Sequence, residues 1–211
     1  MNKEPPAYSG LTVLELLVAM GVAMLFYGVL YSFYQLHARA LKVQEIKLDV
    51  QEGSRLAIDS LVRELRLAGA RPVSGTSCDG FEGILVAEPQ QITLQHDYRG
   101  NSTGTPPDGC PDDPNERVTY VYEPAAQLLK RATGSGAPQP FISDVPADGF
   151  ALRYFDRDGN ELGTPLDSVQ RAQVQRIVAT VRTSRNHPDP RNTTPLTSEH
   201  TSTVFLPNPM K

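Results

Sequence analysis

From Leu11 to Tyr34 the chain carries one ionisable side chain other than tyrosine, Glu15, and the rest of the run is apolar or small. About 20 such residues suffice for a helix to cross the hydrocarbon core of a bilayer. The run therefore predicts a membrane anchor and export of the chain that follows. A secretory signal would begin with a basic region and end a shorter apolar core at an A-x-A-like site. Here a polar leader, "MNKEPPAYSG", ends in glycine directly before the run. Thr12-x-x-Glu15 has the form of a capping box, in which the glutamate reaches back to an orphan amide at the helix start. A carboxylate within hydrocarbon-like sequence is costly unless it is paired. The cap alone does not explain its place.

Beyond Tyr34 the pattern turns amphipathic, with no proline until Pro72. Ile58, Leu61, Val62, Leu65, Ala68 and Gly69 recur at helical spacing and define one face directed at a globule. Arg55, Asp59 and Arg63 follow at i, i+4 as exposed pairs. Gly69 and Pro72 form a stop signal, so one helix is expected from about Leu11 to about Leu67, roughly 85 Å long at 1.5 Å per residue. Gly21, Gly28 and Gly53 interrupt it, each costing about 1 kcal/mol relative to alanine.

After Pro72 the chain reads as short strands between turn-rich loops: "GILVAE", "QQITLQH", "RVTYVYE", "QLLKRA", "GFALRYFD" and "VQRIVATVRT". Hairpins are expected around Pro124 to Gln127 and at Asp158-Gly159. The Pro/Thr-rich segment "TSRNHPDPRNTTPLTSEHTS" holds little apolar surface and is expected as a long loop between two strands or a partner-binding excursion, and "RGNSTGTPPDGCPDDPNE" is similar. The resulting class is α+β: a long N-terminal helix whose first half spans a membrane, and a C-terminal antiparallel sheet clasping its second half. Residues 1–10 form the leader, 11–35 the apolar half of the helix, 36–71 its amphipathic half and 72–211 the globular part.

A net charge of −4 without a Lys/Arg-rich block gives no footprint for nucleic acid. Arg153, Arg171, Arg176, Arg182 and Arg185, scattered among carboxylates, read as a solvated face. Cys78 and Cys110 suit one disulfide in an exported chain, closing about 33 residues for roughly 3 to 4 kcal/mol, or two free thiols in a cytosolic one. His37, His96, His187 and His200 have no metal-ligand spacing. No catalytic constellation is evident, and no cofactor is implied. Asp156, Asp158 and Asn160 resemble the start of a calcium loop, but Glu161 stands where glycine is needed and Asp167 where the bidentate glutamate belongs, which favours a hairpin turn. Asn101 and Asn192 match the glycosylation tripeptide.

"GLTVLELLVAM" resembles the class III signal of type IV pilins and pilin-like proteins, in which glycine precedes a mature helix with glutamate at its fifth position. Leu11 stands where phenylalanine is usual, and Lys3 beside Glu4 leaves the leader near neutral. The resemblance implies cleavage after Gly10 by a prepilin peptidase, N-methylation of Leu11, and a pilin-like fold. For Glu15 it implies a partner, the free α-amine of a neighbouring subunit. Two opposite unit charges about 4 Å apart interact by roughly 4 kcal/mol at an effective dielectric of 20. Within the family, "LVRELRLAG", "GFALRYFDRDGNEL" and "IVATVRTSRN" are similar to PilW-type minor pilins and to the minor pseudopilins of type II secretion. The implied function is a non-catalytic minor pilin that primes or joins pilus assembly near the fibre tip. Its partners would be other major and minor pilins, through the helix, and the inner-membrane assembly machinery. It would be stored as a single-pass inner-membrane protein with a periplasmic globule before entering the surface fibre, with adhesion and twitching motility as the associated processes. The alternatives are a pseudopilin of a type II secretion system, a singly anchored periplasmic binding protein or enzyme, and a tip adhesin, a pilin with a binding role in its long loops.

Overall fold

The computed structural model describes residues 12–71, 81–98, 106–113 and 116–206. It divides into two units, Met1–Glu45 and Ile46–Lys211. Helix α1 runs over Val13–Leu67 and contributes to both. In the first unit it is the sole described element, and none of its side chains there is buried. In the second unit, α1 buries Val50, Ser54, Ala57, Ile58, Leu61 and Leu65. This is the face expected from the sequence, extended toward the N-terminus by Val50, Ser54 and Ala57. Val62 packs at its margin and is only partly buried. The helix stops where expected: Gly69 takes φ 74° and donates its N–H to the carbonyl of Gln95 at 2.9 Å. Arg55 and Asp59 form the expected exposed pair at 3.7 Å.

The strands β1 (Ile84–Ala87), β2 (Gln91–Gln95), β3 (Arg117–Glu123), β4 (Leu128–Thr133) and β5 (Gln139–Ile142) make an antiparallel meander in chain order. A second antiparallel sheet comprises β6 (Phe150–Phe155), β7 (Glu161–Leu162), β8 (Arg176–Arg185) and β9 (Leu196–Phe205), in the order β7-β6-β8-β9. The expectation of one sheet is thereby corrected to two. Their inner faces meet the end of α1 in one core, with Ile92, Leu94, Tyr120, Leu129, Phe150, Tyr154 and Ile177 fully buried around Leu61 and Leu65. Period-2 burial along β3 and β8 follows the alternation of their apolar residues.

Both hairpins form. Between β3 and β4, Pro124–Ala126 makes a single 3-10 turn and Gln127 enters the left-handed region at φ 53°. Between β6 and β7, Gly159 supplies φ 86°. Gly149 answers a different need, because a Cβ there would lie 2.7 Å from the carbonyl oxygen of Arg182 on the neighbouring strand.

Three elements depart from expectation. The segment expected as one loop over residues 183–202 contains the end of β8 and most of β9, leaving only residues 186–195 as the connection. The alternation in β9 is threonine against serine and histidine, so hydropathy does not reveal it. Strand β5 contains Pro140, whose missing N–H is tolerated because β5 is an edge. Helix α2 (Ser168–Gln173) is fixed by a capping box: Asp167 accepts from the amide of Gln170 at 2.8 Å, and the Gln170 side chain accepts from that of Asp167 at 3.1 Å.

Candidate assembly face

The first unit presents two features that its own fold does not use. The first is apolar surface. Every valine, leucine, methionine, phenylalanine and tyrosine from Val13 to Tyr34 is between 47% and 76% exposed. Those 22 positions span about 33 Å at 1.5 Å per residue, the thickness of a hydrocarbon core. The helix is long and apolar enough to cross a membrane. Two polar side chains along it are bonded locally: Ser32 Oγ donates to the Gly28 carbonyl at 2.9 Å, and Gln35 Nε2 donates to Tyr31 Oη at 2.8 Å. Gly21 and Gly28 have open space where a Cβ would project, so no contact in the described structure requires glycine there. Bare backbone of that kind permits close approach of another helix.

The second feature is Glu15. Its Oε2 accepts from the backbone N–H of Thr12 at 2.9 Å and from the Thr12 hydroxyl at 3.0 Å, while Thr12 Oγ1 accepts from the Glu15 amide at 3.3 Å. This is the reciprocal cap read in the sequence, with Thr12 just ahead of the first helical residue. Both bonds to the carboxylate converge on one oxygen. Oε1 makes no hydrogen bond among the described residues and retains its full acceptor capacity. The cap and an additional cationic partner are therefore geometrically compatible. Gly10 and Leu11, the residues expected to flank a cleavage point, lie outside the described residues.

Elsewhere the singled-out side chains are held in structural roles. Arg153 binds Glu161 through two bonds of 2.7 and 2.5 Å, Arg171 binds Glu82 at 2.7 Å, Arg182 binds Asp148, and Arg185 bridges Asp144 at 2.7 Å and Asp49 at 3.2 Å. Arg176 lies over the Phe155 ring, 4.1 Å from its centroid. The hydrogen bonds from Arg153 and Arg182 hold the carboxyls of Glu161 and Asp148 below their usual range. The arginines are thus spread over separate partners. Asp156 turns both oxygens to Asn160, accepting from its amide at 2.8 Å and its side chain at 3.0 Å, and that side-chain bond depresses the Asp156 pKa. The candidate cation segment Asp156, Asp158, Asn160 thus forms the turn of the β6–β7 hairpin.

Cys110 is disulfide-bonded. Cys78 and Asn101 lie outside the described residues, while Asn192 turns its side-chain oxygen to the amide of Thr194 at 3.0 Å. The histidines are dispersed: His37 stacks edge-on against Phe33, His96 is buried, His187 Nδ1 accepts from the amide of Asp189, and His200 lies on β9. One grouping was not singled out from the sequence. Oxygens of Asp112, Asp113 and Glu116 lie within 4.8 Å of one another, a set that suits a hard cation. Glu116 is already engaged by the amides of Tyr98 at 3.2 Å and Asp113 at 3.3 Å. The signal was the carboxylate spacing in "PDDPNE", which has no standard ligand register.

No protein-family profile matches the sequence, and no curated protein matches it. Among solved structures, a type IV-like pilin from Thermus thermophilus is similar at 14% identity and a TM-score of 0.47, over 76% of this chain and 98% of that one. Likeness of that degree leaves the functional reading to the chain's own residues.

Proposed function

We propose that the chain is a pilin-like structural subunit, anchored in the inner membrane by the apolar half of α1 and built into a fibre through that same surface. The observation that carries this reading is the 22-residue helix segment, exposed on all sides and headed by a self-capped Glu15 with one unused oxygen. Hydrocarbon can cover the apolar side chains before assembly, and equivalent helices can cover them afterwards. Neither covers a carboxylate. A neighbour's free α-amine does, with an attraction of roughly 4 kcal/mol at 4 Å and an effective dielectric of 20. Prepilin peptidase would create that amine by cutting after Gly10 and would methylate Leu11. Within this class the reading is of a minor pilin that primes assembly near the tip, with a Cys78–Cys110 disulfide staple in its periplasmic globule and no catalytic role.

Glu15→Gln separates cap from charge, because the amide keeps an oxygen for Thr12 but cannot pair ionically. Glu15→Gln and Glu15→Ala should both insert normally in membranes and be lost from sheared fibres. Wild-type incorporation of the Gln variant would leave the cap as the whole role of Glu15 and end the pairing mechanism.

A further inference from the structure

The described sheets have four edges, and three are blunted. Strand β1 has 4 residues and a register shift, and its Ile84 and Ala87 carbonyls accept from Arg171 of α2 and from Leu166 just before that helix. Strand β5 has 4 residues, contains Pro140 and is also register-shifted; β7 has 2 residues. Strand β9 is different. Its 10 residues pair one for one with β8 without a bulge, it contains no proline or lysine, and no strand covers its outer side among the described residues. A long regular edge is a template for another strand unless it is blocked.

The sequence of β9 says which strand fits. Read outward from His200, it is nearly a palindrome: Glu199 mirrors Thr201, Ser198 mirrors Ser202, Thr197 mirrors Thr203, and Leu196 mirrors Val204. An antiparallel pairing of two β9 strands centred on His200 therefore sets Thr opposite Thr, Ser opposite Ser and Leu opposite Val. It brings no two carboxylates together. Mirrored residues lie an even number of positions apart, so each row stays on its own face of the joined sheet. A self-complementary patch of this kind is what a two-fold interface requires. The chain already uses such pairs: the hydroxyls of Thr180 and Thr201 meet at 3.0 Å between β8 and β9, as do those of Thr93 and Thr119 between β2 and β3.

The core-side row of β9 is left incomplete by one copy. Ser198, His200 and Ser202 on that row are only half-buried, whereas their partners on β8, Thr183, Val181 and Ala179, are buried; at the end of the row Leu196 and its partner Arg185 are both half-buried. Beside Ser202 an open groove of about 610 Å³ is lined by Ile58, Asp59, Val62, Arg63, Arg66 and Leu67 of α1. We propose that β9 is a dimerisation edge occupied by β9 of a second copy of this chain in the His200-centred register, which joins the two four-stranded sheets into one. The inference does not rest on the fibre reading.

The test uses the full chain in detergent micelles, with mass followed over a concentration series. Thr197 and Thr203 are exposed, so their replacement leaves the fold intact. In Thr197→Lys/Thr203→Lys each lysine faces a lysine of the other copy, and dimer dissociation should increase about tenfold or more. In Thr197→Lys/Thr203→Glu each lysine faces a glutamate, and affinity should return to within about threefold of the parent. Register is read separately: His200→Cys alone should cross-link to a covalent dimer with a short bis-maleimide, while Thr197→Cys should cross-link only when mixed with Thr203→Cys. A parent monomeric at every concentration, or a dimer indifferent to the Lys/Lys substitution because α1 alone holds it, would overturn the proposal.

Discussion

Residues 13–34 and residues 50–67 are both helical and both rich in leucine and valine. In the first stretch every large apolar side chain is at least 47% exposed, while Leu61 and Leu65 of the second are completely buried. The difference lies in pattern. The second stretch gathers most of its apolar residues on one face, Leu56 and Leu67 excepted, and offers charges elsewhere, so a protein core can satisfy it. The first is apolar all round, and a one-sided core cannot. Tyrosines divide the same way: Tyr27, Tyr31 and Tyr34 are exposed, whereas Tyr120 and Tyr154 are fully buried in the second unit. A single helix thus carries two patterns of hydrophobicity, one that a protein core covers and one that, on the proposed reading, lipid or neighbouring helices cover.

Matched substitutions should pull the two stretches apart most strongly. Leu61→Ala is expected to cost the second unit about 2–5 kcal/mol as a cavity. Leu25→Ala should change the same unfolding free energy by less than about 0.5 kcal/mol. Equal denaturation midpoints for the two variants would erase the contrast. Next comes Leu25→Arg, which should oppose membrane insertion by about 2.5–3.5 kcal/mol, read as protein released by alkaline carbonate, and leave the midpoint of the second unit in place.

A smaller effect concerns the phenols. Burial raises the pKa of Tyr120, with a further contribution from the charge of Glu64, and burial likewise raises that of Tyr154. The unfolded chain then releases protons near pH 10 that the folded chain keeps. Stability contributed by these groups is therefore complete below about pH 10 and falls above it, by up to about 1.4 kcal/mol per pH unit for each phenol. Stability curves at pH 9 to 11 should show that slope, and Tyr154→Phe should reduce it by the share of one proton. The smallest effect is expected at the surface. Glu161→Gln breaks the exposed pair with Arg153 and should leave the unfolding midpoint unchanged within error.

Elements with strong apolar periodicity were legible in the sequence. These include α1, its glycine stop, and the strands β2, β3, β4, β6 and β8, along with the Asp158-Gly159 turn. The Glu15 cap was legible because Thr12 and Glu15 carry its chemistry at fixed spacing. Strand β9 was not, since threonine, serine and histidine alternate without a hydropathy signal and its pairing with β8 is a long-range fact. Pro140 concealed β5 in the same manner, by arguing against a strand that tolerates it only as an edge. The division into two sheets was also hidden, because strand order depends on contacts rather than on local pattern. Helix α2 was not read from the sequence: Asp167-x-x-Gln170 carries its capping signal, but a helix of 6 residues has too few turns to show a periodic face.

The reading of the first unit depends most on the amino group that answers Glu15. Mass analysis of the N-terminal peptide, taken from protein extracted from its native membrane, measures that group directly. The account predicts a chain beginning at Leu11 with one added methyl group. A natively produced protein that retains residues 1–10 would contradict it, because the α-amine would then lie far from the position that Glu15 can reach.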